Sequence, residues 1–212
     1  MLRKTLIPAL IIALALPLFL KSRATAEEPK PAAQPALKLP PGWTMEDMQA
    51  IIAAGTPGKM QQYLAKGAGV WHGKNTMWMM PGADPIKAEC KFTVTSIMDG
   101  RYTQVELTGD MPGMGPYKGL ALYGFDNVTQ KFTSTCIDNQ GTGIMTGTGE
   151  LSADQKVMTW TYTFNCPLNK KPTPMRQVET TTGEKTKTLE IYSAEPKSGK
   201  EYKMMVIELT KE

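Results

Sequence analysis

The chain predicts an all-β fold: a closed antiparallel up-and-down barrel of about ten strands, preceded by two short helices. Three observations lead there. Large apolar and polar side chains alternate from Val70 onward, most strictly in Met158-Thr159-Trp160-Thr161-Tyr162-Thr163-Phe164, so that one face of each segment is dry and the other wet. The links between these runs are short and polar, as at Asp154-Gln155, Gly183-Glu184 and Lys197-Ser198-Gly199, which makes consecutive strands antiparallel neighbours. A meander of this length either leaves two unpaired edges or seals on itself, and sealing removes the edges. A two-sheet sandwich is the architectural alternative.

The first residues read as an address and not as part of the fold. Met1-Leu2-Arg3-Lys4 is followed by an apolar stretch from Leu6 to Leu20 and by Ala24-Thr25-Ala26. A charged start, a short apolar middle and a small-residue exit form a secretory signal peptide over 1–26, with cleavage expected after Ala26 and a secreted or periplasmic location. The stretch is shorter than the roughly 20 residues that cross a bilayer, so no stable membrane span is expected after cleavage. Residues 27–41 contain Pro29, Pro31, Pro35, Pro40 and Pro41 with little to bury, and read as a disordered tether. The domain then occupies 42–212.

Charge excludes one class of partner. Across 212 residues, 24 lysines and arginines stand against 20 acids. Arg3, Lys4, Lys21 and Arg23 fall inside the signal segment, which holds no acid, so the remaining chain is formally neutral. The basic footprint of a nucleic-acid binder is missing.

Thr44 is placed to cap a helix through the backbone N–H of Asp47, with Glu46 and Asp47 in its first turn and Gly55 at its end. Met45, Met48, Ile51 and Ile52 fall on one face of it. After Thr56-Pro57-Gly58 a second helix carries Met60, Tyr63 and Leu64 at helical spacing and stops at Gly67. Both apolar stripes are expected to cover something. The strands follow at roughly 70–80, 87–98, 101–109, 117–125, 130–137, 143–151, 156–164, 174–181, 186–193 and 201–210. Asp99-Gly100 between two alternating runs is a strong hairpin signal. The segment Asp110 to Pro116, with Met111 and Met114 around Pro112-Gly113, reads as a flexible apolar flap at one mouth of the barrel.

Several of these residues together resemble a family of bacterial secreted proteins, domain of unknown function 1579. The resemblance rests on Gly69-Val70-Trp71, Met80 to Pro85, Gly100-Arg101-Tyr102, Lys118-Gly119, Tyr123-Gly124-Phe125-Asp126-Asn127, Ile137-Asp138 and Arg176, over about residues 60 to 210. It implies a lipocalin-like, calycin-type barrel and no established activity. Two positions depart from the family pattern. Cys136 stands where the family has a tryptophan, and Lys211 stands near the place of a terminal arginine that packs on the first-strand tryptophan, which puts a point charge where a flat cation is expected.

No nucleophile–base pair and no metal or cofactor signature appears. His72 is the single histidine, and strand alternation sends it away from Trp71 and out to solvent. Asp126 and Asp138 both precede Asn at turns, where short acids satisfy the backbone. Asn127-Val128-Thr129 fits a glycosylation acceptor pattern. The thioethers around Trp78 and Pro112 raise cuprous copper, although methionine more often fills irregular apolar space. Cys90, Cys136 and Cys166 allow at most one bridge, in any of three pairings, or three buried thiols. The positive expectation is a small hydrophobic ligand inside the barrel, bound without catalysis by Trp71, Phe92, Trp160, Tyr162 and Phe164, with Arg101 or Arg176 orienting a carboxylate or phosphate. The alternatives are a solid core made of the same residues, a ligand-free interaction module, and a haem-binding or hydrolytic enzyme in the same barrel. Nothing in the residues sets an oligomeric state.

Overall fold

A computed structural model describes residues 39–212; the expected signal peptide and residues 27–38 of the expected tether lie outside the described residues. Two helices come first, α1 over Met45–Gly55 and α2 over Lys59–Ala65. The capping box at α1 forms as read: the Asp47 N–H donates to Thr44 Oγ1 at 3.2 Å, and the Thr44 N–H donates to the Asp47 carboxylate at 2.8 Å. Those two bonds satisfy donors that a helix start otherwise leaves open.

Ten strands follow: β1 Gly69–Met77, β2 Ile86–Ile97, β3 Tyr102–Met111, β4 Gly115–Asp126, β5 Lys131–Asp138, β6 Met145–Leu151, β7 Val157–Asn165, β8 Pro172–Thr181, β9 Thr186–Ala194 and β10 Glu201–Lys211. Each pairs antiparallel with the next, and β10 pairs with β1, so the sheet is a closed up-and-down barrel. Trp71 sits opposite Lys211 on one side and Phe92 on the other, which fixes the register of the seam. A bulge between Lys203 and Met205 on β10 bends the strand near the opposite end.

Two expectations about segments change. The Asp110–Pro116 flap is instead a tight hairpin: β3 runs to Met111, β4 starts at Gly115, and the Met114 N–H donates to the Met111 carbonyl at 2.9 Å. Gly113 (φ 84°) and Gly115 (φ 88°) supply the left-handed angles that so short a connection needs. Most of the α1 stripe stays open among the described residues: Met45, Ile51 and Ile52 are 63%, 50% and 61% exposed, and only Met48 is half-buried. The α2 stripe behaves as expected, with Met60, Tyr63 and Leu64 packed on the buried cluster around Phe132 and Trp160.

Eight of the ten buried apolar side chains, all but Met77 and Cys166, form two clusters on different walls. One is Trp71, Leu189, Ile207 and Leu209, from β1, β9 and β10; the other is Phe132, Met158, Trp160 and Tyr162, from β5 and β7. A solid interior would join them into one core. Among the described residues, no helix is long and apolar enough to cross a membrane.

Candidate functional site

The space between the two clusters belongs to a cavity of about 1510 Å³ that opens to solvent at its mouths. It runs from Tyr63, Leu64 and Trp71 at the helical end to Met111, Met114 and the 140–144 loop at the other. Alternation builds the wall strand by strand. On β1 to β3, Trp71, Cys90, Phe92, Val94, Val105 and Leu107 face inward; on β7 to β10, Trp160, Met175, Leu189, Ile207 and Leu209 do. Many inward side chains, Phe92, Val105 and Leu107 among them, are only half-buried because no side chain fills the space before them.

Aromatic rings stiffen one wall. Trp160 lies 4.9 Å from Tyr123, 6.2 Å from Phe132 and 6.3 Å from Tyr162 between ring centroids. Phe125 meets Phe132 edge-on at 4.8 Å. Such tilted and edge-on contacts add to the burial energy and hold the rings in place. Tyr162 stands behind the cavity surface at 1% exposure and donates its hydroxyl to Ser134 Oγ at 3.2 Å. Burial drives the hydroxyl pKa of Tyr123 and Tyr162 upward, so both stay protonated donors.

Of the residues expected to bind a ligand, Trp71, Phe92, Trp160 and Phe164 line the cavity, and Tyr162 supports it from behind. The two arginines do not reach it. Arg101 donates its Nε–H to the Gly55 carbonyl at 3.0 Å and an Nη1–H to the Met98 carbonyl at 3.2 Å, tying the end of α1 to the β2–β3 turn. Arg176 has outward strand parity, its guanidinium 4.0 Å over the Tyr192 ring and forked onto Glu201 at 2.8 and 3.2 Å. Neither is placed to orient an anion inside. The inward parity of β8 and β9 instead brings Glu179 and Lys187 to the wall, and that of β10 brings Lys211. Two-residue alternation from Gln177 and from Leu189 places the first two on the inward face.

His72 lies outside, with 60% of its side chain exposed and its Nε2 2.7 Å from a Glu212 carboxylate oxygen. The three cysteines are free. Burial pushes the Cys90 thiol up to about 11 and raises that of Cys136 as well, so neither is a ready thiolate. Asp126 and Asp138 hold turns: Asp126 accepts from the Val128 N–H at 2.8 Å and the Thr129 hydroxyl at 2.7 Å, and Asp138 accepts from the Gln140 N–H at 2.8 Å and the Gly141 N–H at 3.0 Å. The Asn127 amide is engaged on both its atoms, which gives the acceptor-like triplet a structural use.

The fold is shared with solved proteins. The crystal structure of Rv2717c from M. tuberculosis matches with a TM-score of 0.54 at 13% identity, over 74% of this chain and 99% of that one. The structure of the S-type phycobiliprotein lyase CPES from Guillardia theta matches with a TM-score of 0.50 at 6% identity, over 76% of this chain and 96% of that one. At such identities the likeness is one of fold alone. No curated protein matches the chain. A family model described as protein of unknown function (DUF1579) matches residues 56–211, from the turn before α2 to the last residue of β10, and the chain belongs to that family.

Proposed function

We propose that the protein binds a small hydrophobic molecule within its barrel and does so without chemistry, in a secreted or periplasmic setting. One observation carries the reading: the two buried clusters stay apart, with about 1510 Å³ of mainly apolar-walled space between them. A folded chain gains by filling such space, at roughly 25 cal/mol for each Å² of apolar surface removed from water, so an apolar ligand gains in the same way. The likeness to a phycobiliprotein lyase is compatible with this, since barrels of this size hold one small ligand. Binding without catalysis draws on the wall chemistry. The histidine faces outward, and the cysteine thiols on the wall are held protonated by burial.

Native mass spectrometry of protein purified without denaturation tests the proposal. A defined extra mass that disappears after delipidation is the expected result. Bare protein from several expression conditions, together with failure to take up any apolar probe, would overturn it.

A further inference from the structure

At the helical end of the cavity three half-buried charged side chains share the wall: Glu179 of β8, Lys187 of β9 and Lys211 of β10. Lys187 and Glu179 form an ion pair with side chains 23% and 26% exposed. Lys211 has no acidic partner among the described residues. Its ammonium lies 5.6 Å from the centre of the Trp71 ring and that of Lys187 lies 5.0 Å from it. Trp71 is held in position by its own Nε1–H, which donates to the Gly67 carbonyl at 2.8 Å. Gly69, at φ 131°, gives the Lys211 stem its room; a Cβ there would stand 2.7 Å from Lys211 Cε.

Two cations therefore meet one indole, and a single half-buried carboxylate answers them. The other charged wall residues, Lys66, Glu89, Asp110, Asp138, Asp154 and Glu184, are exposed, and water and salt screen them. Tyr63 adds a donor at the same end: burial first, and the Glu179 charge second, push its hydroxyl up to about 12, so it keeps its proton. The cavity beyond these groups is walled by Phe92, Val105, Leu107, Leu189 and Ile207. An apolar space with one unanswered, partly desolvated cation at its end selects for a molecule with the complementary arrangement.

Resting on the pocket reading above, we propose that the ligand is an amphipathic anion, with an apolar body along the barrel and one carboxylate-type group seated at Lys211. Lys187 assists as the second cation while it stays bound to Glu179. An ammonium offers three rotatable donors on a flexible stem, which suits a single carboxylate entering from the cavity.

The test titrates the delipidated full-length chain with palmitate and with 1-hexadecanol, the neutral alcohol of equal chain length, by isothermal calorimetry. Palmitate is expected to bind about tenfold tighter than hexadecanol. Lys211→Met should bring the ratio of the two affinities to about one, and Lys211→Arg, which keeps the positive charge, should hold it above one. Equal affinities in the native chain, or a ratio that survives Lys211→Met in folded protein, would overturn the anion proposal while leaving the pocket intact, because both probes still bind. Failure of both probes would overturn the pocket reading and this one with it. Should Lys211→Met not fold, the native-chain comparison decides alone.

Discussion

Gly147 and Gly149 on β6 are the surfaces on which two almost fully buried aromatic rings lie. The register places Gly147 against Tyr162 and Gly149 against Trp160, and a Cβ on these glycines would come within 2.4 Å of Tyr162 Cδ1 and 2.8 Å of Trp160 Cε3. Close approach of ring to backbone is the reason for glycine at both places. Gly147→Val should cost about 1–3 kcal/mol, because the Tyr162 ring must leave its position on the strand and its hydrogen bond to Ser134. A urea melt with an unchanged midpoint would show that the wall has slack. At the same scale, Arg101 and Asn127 both donate to carbonyls at the end of α1, and Arg101 gives a further N–H to the Met98 carbonyl of its own turn.

The helical pair is the element where local pattern and packing part company. Asn127 Nδ2 donates to the Thr56 carbonyl at 2.8 Å and the Ala54 carbonyl at 3.1 Å, while its Oδ1 accepts from Gln61 Nε2 at 2.9 Å. Gln61 is 5% exposed and reaches the Phe125 carbonyl as well, at 2.9 Å. The Phe125-Asp126-Asn127 turn is thus the latch for α1 and α2. Asn127→Ala should weaken the domain by about 1 kcal/mol, since buried Gln61 loses one of its two acceptors and the exposed Ala54 and Thr56 carbonyls turn to water. Amide exchange should accelerate over residues 45–65 before it does in the strands; uniform acceleration would mean that the helices and barrel open together. The periodicity of α1 is real and its cap forms, yet most of its apolar face stays exposed among the described residues. An amphipathic pattern says that a face prefers cover; it does not supply the covering element.

At the scale of the whole molecule, the β1–β10 seam makes a ribbon into a container. Removing residues 201–212 would leave β1 and β9 with open edges and take Ile207, Leu209 and Lys211 from the wall. Such a truncation should aggregate during purification, as exposed edges recruit other strands; a monodisperse, folded product would show that nine strands reclose. All ten strands were legible from alternation and turn chemistry, with ends shifted by at most a few residues, because each of those signals is local. The apolar half of the cavity lining was legible for the same reason: Trp71, Phe92, Trp160 and Phe164 have inward parity. The polar half was not. Arg101 stands in a Gly-Arg-Tyr motif, whereas Lys187 and Glu179 stand in plain Thr-Lys-Thr and Val-Glu-Thr surroundings that carry no local signal.

By itself the sequence determined the strand count, the inward set of side chains, the helix cap and the family, since alternation, turn residues and capping act between neighbours in the chain. Only the tertiary structure decided that the walls stand apart, that the arginines face away and that Lys187 and Lys211 meet over Trp71. Those facts depend on barrel circumference and on register across the seam, where residues 140 positions apart, such as Trp71 and Lys211, become partners.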